Sequence, residues 1–66
     1  MKLKFLRNVD CDYYDRRMGE SYPKYFYRND ILENVTDLEQ DEKFYYLALE
    51  NGDTIQFIPK GAVEKL

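Results

Sequence analysis

Asn51-Gly-Asp-Thr-Ile-Gln-Phe-Ile-Pro-Lys-Gly-Ala-Val-Glu-Lys-Leu66 decides the fold of this chain. Its punctuation specifies a tight turn, a strand, one helical turn and a short closing strand, in that order. Asn-Gly between two apolar runs predicts a hairpin whose two turn residues both take φ > 0. Pro59 has no N–H to give to a ladder, so it ends the strand Thr54 to Ile58. A turn of 3₁₀ helix follows over residues 59–62, loosened by Gly61.

Working outward, Lys43 to Leu49 is the first arm of that hairpin. The segment Asp37-Leu-Glu-Gln-Asp-Glu42 is acidic and reads as a solvated connection. Ile31 to Leu38 reads as a strand, because Asn34, Val35 and Thr36 are poor residues for a helix interior. Tyr25-Phe26-Tyr27 is a short β-prone run, ended by the turn-favouring Asn29-Asp30. Residues 12–24 carry Asp12, Asp15, Gly19, Ser21 and Pro23 without a helical stripe, and predict a long polar loop edged with tyrosines. Near the start, Leu3, Phe5, Val9 and Cys11 share one parity, which predicts a single half-buried strand with Arg7 as its inner exception.

At 66 residues the chain is read as one domain, close to the lower size limit for unaided folding. The expected core is Leu3, Phe5, Val9, Phe26, Ile31, Leu32, Val35, Phe44, Leu47, Ala48, Ile55, Phe57, Ile58 and Val63, supplemented by tyrosines. Net charge is −3, which disfavours general binding to phosphate backbones. The charge is uneven: residues 1–28 hold seven basic and four acidic side chains, and residues 29–66 hold three basic and nine acidic. One cysteine excludes an internal disulfide and points to a reducing cytoplasm. No apolar run is long enough for a membrane span, and the charged start does not read as a signal peptide.

Four stretches resemble the Src-homology-3 family, in the family's order and over almost the whole chain. Val9-Asp-Cys-Asp-Tyr13 followed by Tyr14-Asp-Arg-Arg17 is similar to the start of its long acidic loop. Phe26-Tyr-Arg-Asn-Asp30 is similar to its Phe-Lys-Lys-Gly-Asp turn, with Asn29 at the left-handed position of the glycine. Tyr45-Tyr-Leu-Ala48 is similar to its Trp-Trp-Leu-Ala strand, and Ile58-Pro-Lys-Gly-Ala-Val63 to its Ile-Pro-Ser-Asn-Tyr-Val ending. The resemblance implies an all-β fold: a small, partly open, five-stranded antiparallel barrel with a 3₁₀ turn before the last strand. Tyr45 replaces the family's groove tryptophan and Ala62 its groove tyrosine, so the barrel is implied more strongly than proline-peptide binding. Either Tyr13 or Tyr14 takes the remaining groove position. Barrels of this kind also recur in accessory proteins of bacteria and phages.

Catalysis is not expected. The chain has no histidine, and Ser21, Thr36, Thr54 and Cys11 have no partner to activate them. Asn8, Asp10, Asp12 and Asp15 group oxygen ligands, but glycine and glutamate are missing where a calcium loop needs them, so no metal or cofactor is expected. Protein or peptide binding is the leading expectation. Tyr13 or Tyr14, Tyr45 and Pro59 would form an aromatic floor, with Asp15, Glu20, Glu39, Asp41 and Glu42 attracting a basic or proline-rich segment. The loop Tyr13–Glu20 and the connection 37–42 are expected side by side around that floor. The plainer reading is that the tyrosines simply cover a small core. Two alternatives stand beside it: a nucleic-acid face made of Tyr22, Lys24, Tyr25, Tyr27 and Arg28, or an acidic surface that mimics nucleic acid. The chain is expected as a monomer or a weak homodimer.

Overall fold

A computed structural model describes all 66 residues. The protein is all-β, with eight strand segments in two antiparallel sheets that do not close into a barrel. In chain order they are β1 (Leu3–Phe5), β2 (Val9–Asp15), β3 (Glu20–Phe26), β4 (Ile31–Leu32), β5 (Val35–Gln40), β6 (Phe44–Leu49), β7 (Thr54–Pro59) and β8 (Val63–Lys65). A 3₁₀ turn at Lys60–Ala62 joins the last two. The smaller sheet has the order β4-β1-β8, and the larger has the order β3-β2-β7-β6-β5. No helix is long and apolar enough to cross a membrane.

The closing stretch folds as its punctuation dictates. β7 ends at Pro59, and the 3₁₀ turn carries the chain from the larger sheet to the smaller one. Ala62, with no accessible surface, packs there, and its carbonyl accepts the Leu6 N–H at 2.7 Å. The hairpin before it differs in detail from the expected turn. Only Gly52 has positive φ, at 88°. Its N–H donates to the Leu49 carbonyl at 3.0 Å, while the Asn51 side chain turns back to Asp53. This is a longer loop closed by one left-handed residue. Asn29 takes φ 75°, as its place in the Phe26–Asp30 turn implies.

Four expectations about the strands and their connections need correction. The first strand is two, because the chain bends at Leu6-Arg7-Asn8 to pass from the smaller to the larger sheet, leaving Arg7 exposed. Residues 12–24 are not a loop. β2 and β3 pair continuously from Val9↔Phe26 to Asp15↔Glu20 and leave only a four-residue tip. Alternation was invisible in β3 because it is a sheet edge, exposed everywhere except Phe26. The acidic connection is shorter than 37–42, since Asp37–Gln40 belongs to β5. The strand read as Ile31 to Leu38 is broken at Glu33-Asn34, where the chain crosses between sheets and the Asn34 carbonyl accepts the Glu50 N–H.

Twelve apolar side chains form the core: Leu3, Phe5, Val9, Cys11, Phe26, Val35, Leu47, Leu49, Ile55, Ile58, Ala62 and Val63. Phe5 and Phe26 stack with ring centroids 4.4 Å apart. Ile31 and Phe57, both expected inside, are exposed, Phe44 and Ala48 are half-buried on the outward side of β6, and Cys11, Leu49 and Ala62 take inner places instead. Phe57 leaves the core through a bulge. Between the pairs Tyr45↔Ile58 and Leu47↔Ile55, β7 has two residues where β6 has one, and Phe57 adopts φ 62°. A phenylalanine in that region is strained, and the bulge redirects its ring outward.

Candidate functional face on the larger sheet

Strand pairing places the side chains of the larger sheet in rows, because directly opposed residues share a face. One row is Tyr22, Tyr13, Ile55, Leu47 and Leu38, and it faces the core. The neighbouring row is Ser21, Tyr14, Thr54, Ala48 and Asp37, and alternation turns it outward. Pro23, Asp12 and Gln56 form the next outward row, which Tyr46 and Glu39 continue across the bulge. Asp10 and Tyr25 lie beyond Asp12 and Pro23.

On this outward face the small residues Ala48 and Thr54 make a low floor. A depression of about 350 Å³ lies over it, lined also by Asp37, Glu39, Tyr46 and Gln56. At one end stands an aromatic ridge: Phe57 meets Tyr46 and Phe44 edge-on, each with centroids 5.6 Å apart. Asp41 anchors the ridge. Its carboxylate accepts the Tyr46 hydroxyl at 2.6 Å and the Lys43 and Phe44 N–H groups at 2.8 Å each. Those bonds, led by that from Tyr46, hold the Asp41 carboxyl down at about 2 and push the Tyr46 phenol up. Asp37 and Glu39 flank the floor on β5; on β2 its row ends at Tyr14, with Asp12 one outward row further along the strand and Asp10 beyond it. No Lys or Arg occupies an outward position of these five strands.

The expected floor and rims are divided between the two ends of the β6–β7 hairpin. The tip between Asp15 and Glu20 sits beside the Asn51–Asp53 turn, since Tyr14 opposes Thr54 and the Arg16 N–H donates to Asp53 at 3.0 Å. Tyr45, Pro59, Asp41 and Glu42 lie at the other end, where Phe44 opposes Pro59. The length of β7, roughly 17 Å at the usual rise per residue, separates them. They are not side by side because β2 and β5 are separated by two whole strands.

Tyr13 and Tyr14 divide their roles. Tyr13 packs on the core, stacks on Tyr22 and donates its hydroxyl to Asp53. Burial and then that bond push its phenol up, while the Asp53 carboxyl is held down by Tyr13 and then by the Arg16 N–H. Tyr14 is the outward one. Tyr45 is inward and packs on the core, with the Lys60 ammonium 5.9 Å from its ring centroid. Asp15 accepts the Met18 N–H and so holds the hairpin tip, and Glu20 is opposite it.

Among the nucleic-acid candidates, Tyr22 and Lys24 share the inward parity of β3, and Tyr25 takes the opposite side. Lys24 lies 5.8 Å from the Phe26 ring centroid, Tyr25 and Tyr27 meet edge-on, and Arg28 is exposed. Their alternation in sequence therefore spreads them over two faces. Cys11 is buried, and burial, then Asp12 and Asp10, push its thiol up to about 11. Asn8 accepts the Arg28 N–H, and no three His, Cys, Asp or Glu side chains converge as a metal site.

Sequence reasoning missed Tyr46 and Phe57, named Asp37 only as part of the acidic connection, and weighed Asp10 and Asp12 only as oxygen ligands. Tyr46 was within reach: Tyr45 shares parity with Leu47 and Leu49, so its neighbour must face outward. Phe57 was not, because the bulge that exposes it leaves no mark in the pattern. Comparison with protein-family models, with curated proteins and with solved structures returned no match.

Proposed function

We propose that this chain is a non-catalytic protein-binding module that holds a basic, extended segment of a partner on the outward face of its larger sheet. One observation carries the reading. Asp10, Asp12, Asp37 and Glu39 surround Tyr14, Tyr46, Phe57 and a low Ala48-Thr54 floor, with no cation among the outward positions. Aromatic anchors with charged rims are the usual anatomy of such surfaces. The strained backbone of Phe57 supports the same reading, because an exposed ring held at φ 62° contributes little to the core. A thiol held at about 11 supports the absence of nucleophilic catalysis.

The architecture is proposed as an opened Src-homology-3-like plan. β4 and β5 count as one bent strand, and the β2–β3 hairpin takes the place of the long loop. The binding face differs from the one that the resemblance implies. The partner segment is equally the basic region of a nucleic-acid-binding protein, which the acidic rails would occupy as a mimic. A reducing cytoplasm suits the lone buried thiol.

Binding of a capped, arginine- and proline-containing decapeptide, measured by titration calorimetry at low salt, tests the reading. Phe57→Ala should weaken it by about 2 kcal/mol as a central anchor, and Lys24→Ala should leave it unchanged. A loss in Lys24→Ala with none in Phe57→Ala would overturn it.

A further inference from the structure

The outward face has directional form. Its carboxylates stand on two rails: Asp37 and Glu39 on β5, and Asp10 and Asp12 on β2. The two strands between, β6 and β7, contribute no acid at their outward positions Tyr46, Ala48, Thr54, Gln56 and Phe57. A segment running along the strands would meet the ridge of Phe44, Tyr46 and Phe57 at one end. In the row Asp37, Ala48, Thr54 and Tyr14 the small residues Ala48 and Thr54 and the flanking Asp37 line the depression, and Tyr14 stands at the β2 end. The open path therefore crosses the strands.

The distance between the rails fixes a spacing. β5 and β2 are three strand-to-strand steps apart, which is roughly 14 Å at about 4.8 Å per step. An extended chain advances about 3.3 Å per residue and covers that distance in about four residues. We infer that the partner segment crosses the larger sheet and carries two basic residues about four positions apart, one meeting Asp37 and Glu39 and the other Asp12 beside Tyr14. The residues between them lie on Ala48, Thr54 and Tyr14. This inference rests on the peptide-binding reading above and adds the direction and the recognition pattern.

Three capped peptides of identical composition test it, with their two arginines placed two, about four and about six positions apart. Binding is read by fluorescence anisotropy at low salt. The four-position peptide should bind more tightly than either other, by about tenfold over the closely spaced one. Glu39→Gln or Asp12→Asn, both at exposed positions, should each abolish that preference while leaving the melting temperature unchanged. If all three bind with equal affinity, the crossing geometry is wrong and the acidic face still stands as the binding surface. If none binds, both the geometry and the peptide-binding reading fail.

Discussion

Tyr13→Phe isolates the clasp that ties the β2–β3 tip to the β6–β7 turn. The substitution keeps the ring, its packing on the core and its stack on Tyr22 at 5.3 Å, and removes only the hydroxyl that Asp53 accepts. Asp53 is 6% exposed and keeps its bonds from the Arg16 N–H and the Asn51 amide, each at 3.0 Å. The loss is therefore one charge-assisted hydrogen bond without a cavity. Such bonds contribute about 1.5–3 kcal/mol, and the surviving partners put the expected cost near the low end, about 1.5 kcal/mol. In a domain of this size that corresponds to a fall of roughly 6–12 °C in melting temperature. Urea denaturation at neutral pH, followed by circular dichroism, gives the number. The sign with pH follows from the depressed Asp53 carboxyl. Its contribution is present above the ordinary carboxylate value of about 3.9 and is lost as pH falls below it, so parent and variant should converge in acid. A difference under about 0.3 kcal/mol at neutral pH would refute the clasp.

Gly52→Ala should cost about 1 kcal/mol or more, because φ is 88° there and a Cβ would lie 2.8 Å from the Arg16 side chain. Part of that cost should vanish in an Arg16→Ala background, and equal costs in both backgrounds would show that the contact is irrelevant. Tyr46→Phe should raise the Asp41 carboxyl from about 2 toward its ordinary value, as seen in a carboxyl-carbon nuclear magnetic resonance titration. The stabilisation that Asp41 gives is present above the ordinary value and lost as pH falls toward about 2, so the variant should lose it at higher pH. Cys11 should react with a disulfide reagent at least about 100-fold more slowly in the native state than in urea at pH 8. Its raised value of about 11 also means that its contribution holds below the ordinary thiol range and is lost as pH climbs through that value.

How much was legible depended on whether a residue's role left a local mark. Pro59 and Gly61 bracket a turn that only a few conformations satisfy, so the order of elements from Thr54 to Lys65 could be read directly, though not the outward turn of Phe57 within it. Asn29 could be read for the same reason, since few side chains tolerate its φ of 75°. β3 could not, because burial writes the alternating pattern and an edge strand exposed on nearly every residue carries none. The break at Glu33-Asn34 and the bulge at Phe57 are both set by the crossing and pairing of distant strands. Most of the candidate face inherited that difficulty. Tyr14 and Glu39 were named from sequence, but Tyr46 was passed over for the inward Tyr45, and the pairing of β2 with β7 alone brought Asp12 onto the same sheet as Glu39.

Amide chemical-shift mapping during titration with the spaced-arginine peptide tests the central claim most directly. Shifts should concentrate on Asp12, Tyr14, Asp37, Glu39, Tyr46, Ala48, Thr54 and Phe57, and fade as salt is raised. Shifts confined to Tyr22, Lys24, Tyr27 and Arg28, or scattered without saturation, would contradict it.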